Sequence, residues 1–291
     1  MSATLAVSCS QRESVDSLTP DDLESSIADG PRGISSFFTI VFLNSFEYRP
    51  IGPCHGSRPR DLDSYTRASC TRDGRQLTLT QGARTLLESY LEVESAPFVV
   101  SPREGPVTLR IAGAIVTTDG QPFDAFVTDG TKWVELFHLS IAMRRRDIVD
   151  ALVEFPIERF EVKKFPQPER FHAAVGRSFV RDGSDFGELA KSADSIYAEA
   201  SQKPRGARVV APGWHALRGL VALHDGDAHQ FELELIETLR AYHVYRATDF
   251  ATSPLGRFCI PAIGLACLGA ERGVQFRVAS DYMPTWLYDR R

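Results

Sequence analysis

The sequence lacks the features that mark membrane-spanning, disulfide-bonded and zinc-binding proteins. Its 291 residues contain no apolar run of about 18 residues, the length that a membrane-spanning helix needs. The five cysteines include no Cys-X-X-Cys pair, and their odd number and scattered spacing fit neither a disulfide framework nor a zinc site. The N-terminus has no basic start and too short an apolar run for a signal peptide. We therefore expect a cytoplasmic protein that makes no membrane contact.

An excess of positive charge is also missing. Lys and Arg number 33 against 38 Asp and Glu, which gives a formal net charge of −5. A protein that binds the phosphates of nucleic acid needs a basic surface, so we expect no direct binding of nucleic acid. Hydrophobic residues make up 43% of the chain and charged residues 24%, which is typical of a folded globular protein with a substantial core.

The signatures of common catalytic sites are absent as well. The chain has no His-Glu-X-X-His motif, no phosphate-binding P-loop, no Gly-X-Ser-X-Gly elbow and no strand-linked Gly-X-Gly-X-X-Gly. Asp185-Phe186-Gly187 matches a kinase tripeptide, but no His-Arg-Asp motif precedes it, so we interpret it as a chance match. We predict that the protein has no catalytic residues and no cofactor and is not an enzyme.

The N-terminal part of the chain is the hardest to interpret. Residues 1–33 are rich in Ser, Asp and Glu and indicate a mobile acidic leader. Residues 34–130 form a part of uncertain fold, which we expect to pack on the helical region that follows. Within it, the apolar run at 34–48 favours a helix, the proline- and glycine-interrupted stretch at 49–75 indicates irregular structure, and the spacing at 82–93 predicts a helix.

From residue 131 onwards, apolar residues recur three or four apart in paired segments that short polar turns separate. Each pair predicts a helical hairpin. The turns lie at Asp147, Gly183, Gly226 and Gly273, which are 36 to 47 residues apart. A loose period of about 40 residues is typical of an α-solenoid, but an irregular bundle with coincidental spacing explains it as well. The sequence thus predicts a mainly α-helical fold of stacked hairpins over residues 131–291.

Acidic residues concentrate in one stretch of the third hairpin. Thirteen residues there carry five acids and no Lys or Arg: Asp225, Asp227, Glu232, Glu234 and Glu237. On a helix that begins near Ala228, we expect Glu234 and Glu237 to point away from the buried stripe. The acids are then either an ordinary solvated face near a helix N-terminus or a recognition surface for a basic partner.

Several histidines and cysteines could have a chemical role, such as metal binding, but each can also be explained by a structural role. His224 and His229 flank two acids and could hold a divalent metal, but the same Gly-Asp sequence supplies the turn and N-cap that a hairpin needs, so we predict no metal site. His138 lies on an apolar helix and is interpreted as a core histidine with satisfied hydrogen bonds. Cys259 and Cys267 are predicted to be small buried hydrophobes.

Several motifs of the C-terminal half follow the pattern of a known family. They comprise the Trp-led helix ending in an Arg-Asp turn at 133–147, the segments 222–231 and 239–245, and the closing segments 261–273 and 280–287. Over residues 131–287 the chain resembles the immunity protein 49 family, which accompanies toxins in bacterial polymorphic-toxin systems. The resemblance implies an all-helical antitoxin that binds and blocks a cognate toxin.

From this resemblance we predict a one-to-one complex with a toxin domain that has a basic surface, such as a nuclease or nucleic-acid-modifying effector. The immunity protein would occlude the active site, and the candidate contacts are Asp225, Asp227, Glu232, Glu234 and Glu237. Two other hypotheses stay open. The chain is a helical-repeat scaffold for an endogenous protein partner, or it is an enzyme that uses His224 and His229 around a metal.

Overall fold

Eight helices and one two-stranded sheet make up the described part of the chain. The computed structural model describes residues 81–111, 114–119, 129–160, 168–202, 204–249, 258–280 and 282–283. In chain order the elements are α1 (Gln81–Val100), β1 (Pro106–Ile111), β2 (Ala114–Asp119), α2 (Gly130–Ala142), α3 (Arg146–Glu154), α4 (Pro168–Val180), α5 (Phe186–Ser201), α6 (Pro204–Asp225), α7 (Ala228–Asp249) and α8 (Ile260–Glu271). The prediction of a mainly α-helical fold is confirmed.

The predictions for residues 1–33, 34–48 and 49–75 lie outside the described residues. The helix predicted at 82–93 is confirmed as α1, which continues to Val100. After it, β1 and β2 pair antiparallel in a hairpin that the sequence did not predict, with Val107 opposite Thr118. β1 packs against α1, and Val107 is buried. None of the helices described here is long and apolar enough to span a membrane.

Three of the four predicted hairpins are confirmed, as α2–α3, α4–α5 and α6–α7. The α6–α7 turn is closed by Gly226, whose φ of 75° lies in the left-handed region that glycine adopts at little cost. The prediction of a fourth hairpin is wrong. Only α8 forms there, and the described residues beyond Gly273 are extended, with one isolated bridge between Ser280 and Met283.

The core centres on a tryptophan of α2 and the apolar helix α8. Trp133 is fully buried, stacks on Phe137 with ring centroids 4.9 Å apart and donates a hydrogen bond from Nε1 to the carbonyl oxygen of Leu152 at 2.8 Å. Every residue from 262 to 269 is buried, as expected of a helix that is apolar on all sides. The hydrogen bond from Trp133 to Leu152 ties α3 to this core.

The position of α8 decides between the two arrangements that the sequence left open. α8 packs along α2 in the first hairpin and also contacts α6 and α7 in the third. In a solenoid each unit contacts only its neighbours in the stack. Because the last described helix returns to the first hairpin, these residues form an irregular helical bundle.

Candidate functional site

The acidic stretch of α6 and α7 divides into surface and structural residues. Asp225 is the last residue of α6, and Asp227 caps α7 by accepting a hydrogen bond from the backbone N of Gln230 at 2.9 Å. Both are exposed. Glu237 lies on α7 and forms an ion pair with Arg240, one turn further on, and both side chains are about two-fifths exposed. Three of the five candidate acids therefore lie at the surface.

We expected Glu234 to point away from the buried stripe of α7, but Glu234 is itself buried. Its side chain is only 4% exposed and lies between α6 and α7. Its carboxylate accepts hydrogen bonds from Nδ1 of His215 at 2.8 Å and from Nε2 of Gln230 at 2.7 Å, and it lies 3.4 Å from Nε of Arg218. Burial alone raises the pKa of this carboxyl, but His215 and Arg218 outweigh it and hold the pKa below its ordinary value.

Glu232 has a structural role on the opposite flank of α7. Its Oε1 accepts a hydrogen bond from the backbone N of Arg277 at 2.8 Å. This contact holds the extended segment after α8 against α7. Glu232 and Glu234 thus tie the two sides of α7 to the rest of the bundle, and of the two only Glu234 is buried.

The buried carboxylate of Glu234 makes a testable contribution to stability. We expect Glu234→Gln to lower the free energy of unfolding by about 2 kcal/mol, because hydrogen bonds to a charged group contribute about 1.5–3 kcal/mol and the neutral amide weakens two of them. Glu237→Gln, on the same helix but at the surface, should change stability by less than about 0.5 kcal/mol. Urea unfolding of both variants provides the measurement, and equal stabilities would contradict the role of Glu234.

The two histidines at the turn have structural contacts. The ring of His224 stacks on Phe186 with centroids 4.0 Å apart, and its Nδ1 lies 3.0 Å from Oδ1 of Asp225. His229 lies exposed in the first turn of α7. Across the described ranges, no group of three or more His, Cys, Asp or Glu side chains has the arrangement of a metal site. The turn and N-cap interpretation of this segment is confirmed by Gly226 and Asp227.

A buried polar chain crosses the bundle from α2 to α5. Nε2 of His138 lies 3.4 Å from Nε2 of His172, whose Nδ1 lies 3.2 Å from the hydroxyl of Tyr197. All three side chains are fully buried or nearly so. Burial, together with His172, holds the pKa of His138 well below its ordinary value, and burial lowers the pKa of His172 to about 3. Both imidazoles are therefore neutral in the folded protein at neutral pH.

The interpretation of His138 as a core histidine is confirmed, but the prediction that its hydrogen bonds are satisfied is wrong. Within the described residues, Nδ1 of His138 has no hydrogen-bond partner. The backbone of α8 at Gly264 packs close to that side of the ring. The predicted burial of Cys259 and Cys267 is also confirmed, and burial raises the pKa of the Cys259 thiol to about 12.

A cleft of about 280 Å³ opens where α2, α4 and α8 end. Phe179 and Leu268 contribute apolar lining. Across it, Arg146 forms an ion pair with Glu271 at 2.7 Å, and the guanidinium of Arg272 lies over the ring of Phe179 at 4.3 Å. Arg146, Glu271 and Arg272 therefore already contact other side chains of the cleft.

The described residues define a mainly α-helical protein with exposed acids at the turn of the α6–α7 hairpin. The model of the immunity protein 49 family matches residues 76–287, which is more than half of the chain. The chain belongs to this family and is an immunity protein, whose partner is a toxin. The match begins well before residue 131, so the family region includes α1 and the β-hairpin. No curated protein and no solved structure matches the chain.

Proposed function

We propose that this protein neutralises a cognate secreted bacterial toxin in the cytoplasm by binding it one-to-one and occluding its active site. The observation that carries the proposal is the family match across the whole helical bundle. The described side chains that form buried polar clusters serve the packing of the helices, which suits a protein that acts by binding.

The exposed acids indicate the chemistry of the toxin. Asp225 and Asp227 are exposed at the turn of the α6–α7 hairpin, and Glu237, which pairs with Arg240, is about two-fifths exposed. A toxin that cleaves or modifies nucleic acid needs a basic cleft for the phosphates of its substrate. Opposite charges on the two proteins accelerate their encounter and disfavour wrong partners. A nuclease or nucleic-acid-modifying toxin is therefore the partner that this surface fits best.

Co-expression with the toxin domain encoded by the adjacent upstream gene tests the proposal. We expect the protein to restore growth and to co-purify with the toxin as a one-to-one complex. If it gives neither rescue nor a complex, the proposed function is wrong, and a helical scaffold for an endogenous partner becomes the better explanation. A toxin that acts on a substrate other than nucleic acid would refute only the proposed toxin class.

We make a separate prediction for the electrostatic contribution to toxin association. We expect the triple variant Asp225→Asn, Asp227→Asn, Glu237→Gln to associate with the toxin about tenfold more slowly and with a weaker salt dependence, because surface charges act mainly on the association rate. Asn retains the capping ability of Asp at position 227. Stopped-flow or surface-binding kinetics at two salt concentrations provide the measurement.

A matched control removes the same charge elsewhere. Glu104, Asp150 and Glu188 are exposed acids outside the α6–α7 hairpin. Their neutral variants, Glu104→Gln, Asp150→Asn and Glu188→Gln combined, should associate nearly as fast as the wild type. Equal slowing by both triple variants would show that net charge, not this surface, determines the association rate.

A further inference from the structure

Apolar residues occur on every side of α7, which is unusual for a helix at the edge of a bundle. Phe231, Leu235 and Leu239 form the buried stripe that faces the core. Leu233, in contrast, is 42% exposed, and Val244 is 48% exposed. The core accounts for the burial of the first set of residues, whereas the second set lies at the surface.

The polar contacts of α7 define which side remains open. One flank is held against α6 by Glu234, and the opposite flank meets the segment after α8 through Glu232. Successive residues of a helix are about 100° apart, so Leu233 points between these two flanks and away from the buried stripe. His229, Leu233, Glu237 and Arg240 lie one turn apart along this side, and we call them the outer face of α7.

Exposed large apolar side chains are rare in the described residues, and most of them belong to this hairpin. Among the residues whose burial the structure describes, only four large apolar side chains are exposed: Ile115, Val209, Leu233 and Val244. Three of them are on α6 and α7. Val209 and Val244 are almost equally far from the turn at Gly226, so they lie at the same level of the antiparallel hairpin. Leu233 and Val244, eleven residues apart, fall on the same side of α7 and are about 16 Å from each other along its axis.

Charge at the edge of this surface distinguishes between possible occupants. Asp225 and Asp227 lie at one end of α7, Glu237 lies one turn from Leu233, and Arg240 is the single basic residue of the outer face. A second copy packed with its α7 parallel would bring the two acidic turns against each other. A partner with an apolar centre and a basic edge would satisfy both features, as in interfaces with an apolar core and a polar rim.

We propose that the outer face of α7 is the toxin-docking surface and that Leu233 is its apolar anchor. The inference rests on the proposed function and adds the surface through which it acts. Leu233 enters an apolar depression of the toxin, and Asp225, Asp227 and Glu237 contact basic residues around it. The hydrogen bonds of Glu232 and Glu234 hold α7 in place before the toxin arrives, so no helix has to reorganise on binding.

The test replaces Leu233 and measures the kinetics of the complex with the same toxin domain. Leu233→Ser should weaken toxin affinity by about tenfold or more, mainly through faster dissociation, as expected for a residue at the centre of an interface. Its melting temperature and the salt dependence of association should stay unchanged. Leu233→Arg, which brings positive charge against a basic partner, should weaken binding further. Ile115→Ser, at a side chain that is 79% exposed on β2, is the matched control and should bind like the wild type.

The outcomes separate this inference from the proposed function. If the wild type binds the toxin and both Leu233 variants bind equally well, the docking surface is wrong while the immunity function stands. If the wild type forms a dimer that Leu233→Ser dissociates without loss of toxin affinity, the outer face is a contact between copies of this chain. If the wild type does not bind the toxin, both proposals fail together.

Discussion

Gly264→Ala is expected to lower the free energy of unfolding by about 3 kcal/mol or more, the upper part of the range for overpacked cores. A Cβ at this position would lie 2.6 Å from Nδ1 and 2.8 Å from Cα of His138. The second distance involves the backbone of α2, so a side-chain rotation cannot relieve the clash. Accommodating one methyl group requires α8 and α2 to separate along the contact that closes the bundle.

Gly187→Ala is the control for Gly264→Ala. Gly187 lies in the first turn of α5, and a Cβ there would meet nothing within 4 Å. Alanine at this site should leave stability unchanged or raise it by up to about 1 kcal/mol, because glycine loses more backbone entropy on folding. Thermal and urea unfolding compare the two variants. Equal stability of Gly264→Ala and the wild type would show that the α2–α8 contact is looser than described.

Acidification from pH 7 to pH 5 is expected to cost about 4 kcal/mol of stability through His138 and His172. Both rings stay neutral in the folded protein because burial lowers their pKa values. In the unfolded chain a histidine gains its proton near pH 6.5. The unfolded state therefore binds more protons as the pH falls below 6.5, and each histidine contributes a loss of about 1.4 kcal/mol per pH unit. This loss is absent above pH 7 and grows until the folded-state pKa values are reached.

Urea unfolding at several pH values between 5 and 7.5 measures this dependence. In His138→Leu the histidine contribution to the slope of stability against pH should fall by about half, since one of the two protonation differences is gone. His229→Gln removes an exposed histidine that takes no part in the buried pair, and it serves as the control variant. A slope that is the same in His138→Leu and the wild type would show that the buried histidines do not control acid stability.

The two core predictions and the docking surface concern different parts of the molecule. Gly264 and His138 lie where α8 meets α2, whereas Leu233 lies on the outer side of α7. Loss of core packing should therefore reduce toxin binding only by reducing the amount of folded protein. Variants of Leu233 should show the reverse behaviour, with normal unfolding and faster dissociation of the complex.

Helix positions could be predicted from the sequence because the apolar residues of an amphipathic helix recur three or four positions apart. The apolar spacing of α4, α5, α6 and α7, and the Gly-Asp turn before Ala228, are local features that act within a few residues. The same reasoning failed after Gly273, where an apolar helix was extrapolated into a hairpin although the following residues pack as an extended segment. The β-hairpin was also missed, since its alternation is short and broken by glycine.

The sequence by itself determined the mainly helical class, the three hairpins and the burial of His138 and the two described cysteines, because each depends on local spacing and on hydrophobicity. Only the tertiary structure decided that α8 closes the bundle against α2, that Glu234 is buried between α6 and α7, and that Nδ1 of His138 lacks a partner. The physical reason is that a charged or polar side chain can be buried wherever a distant helix supplies matching groups. His215 and Arg218 do so for Glu234, and periodicity within one helix carries no information about them.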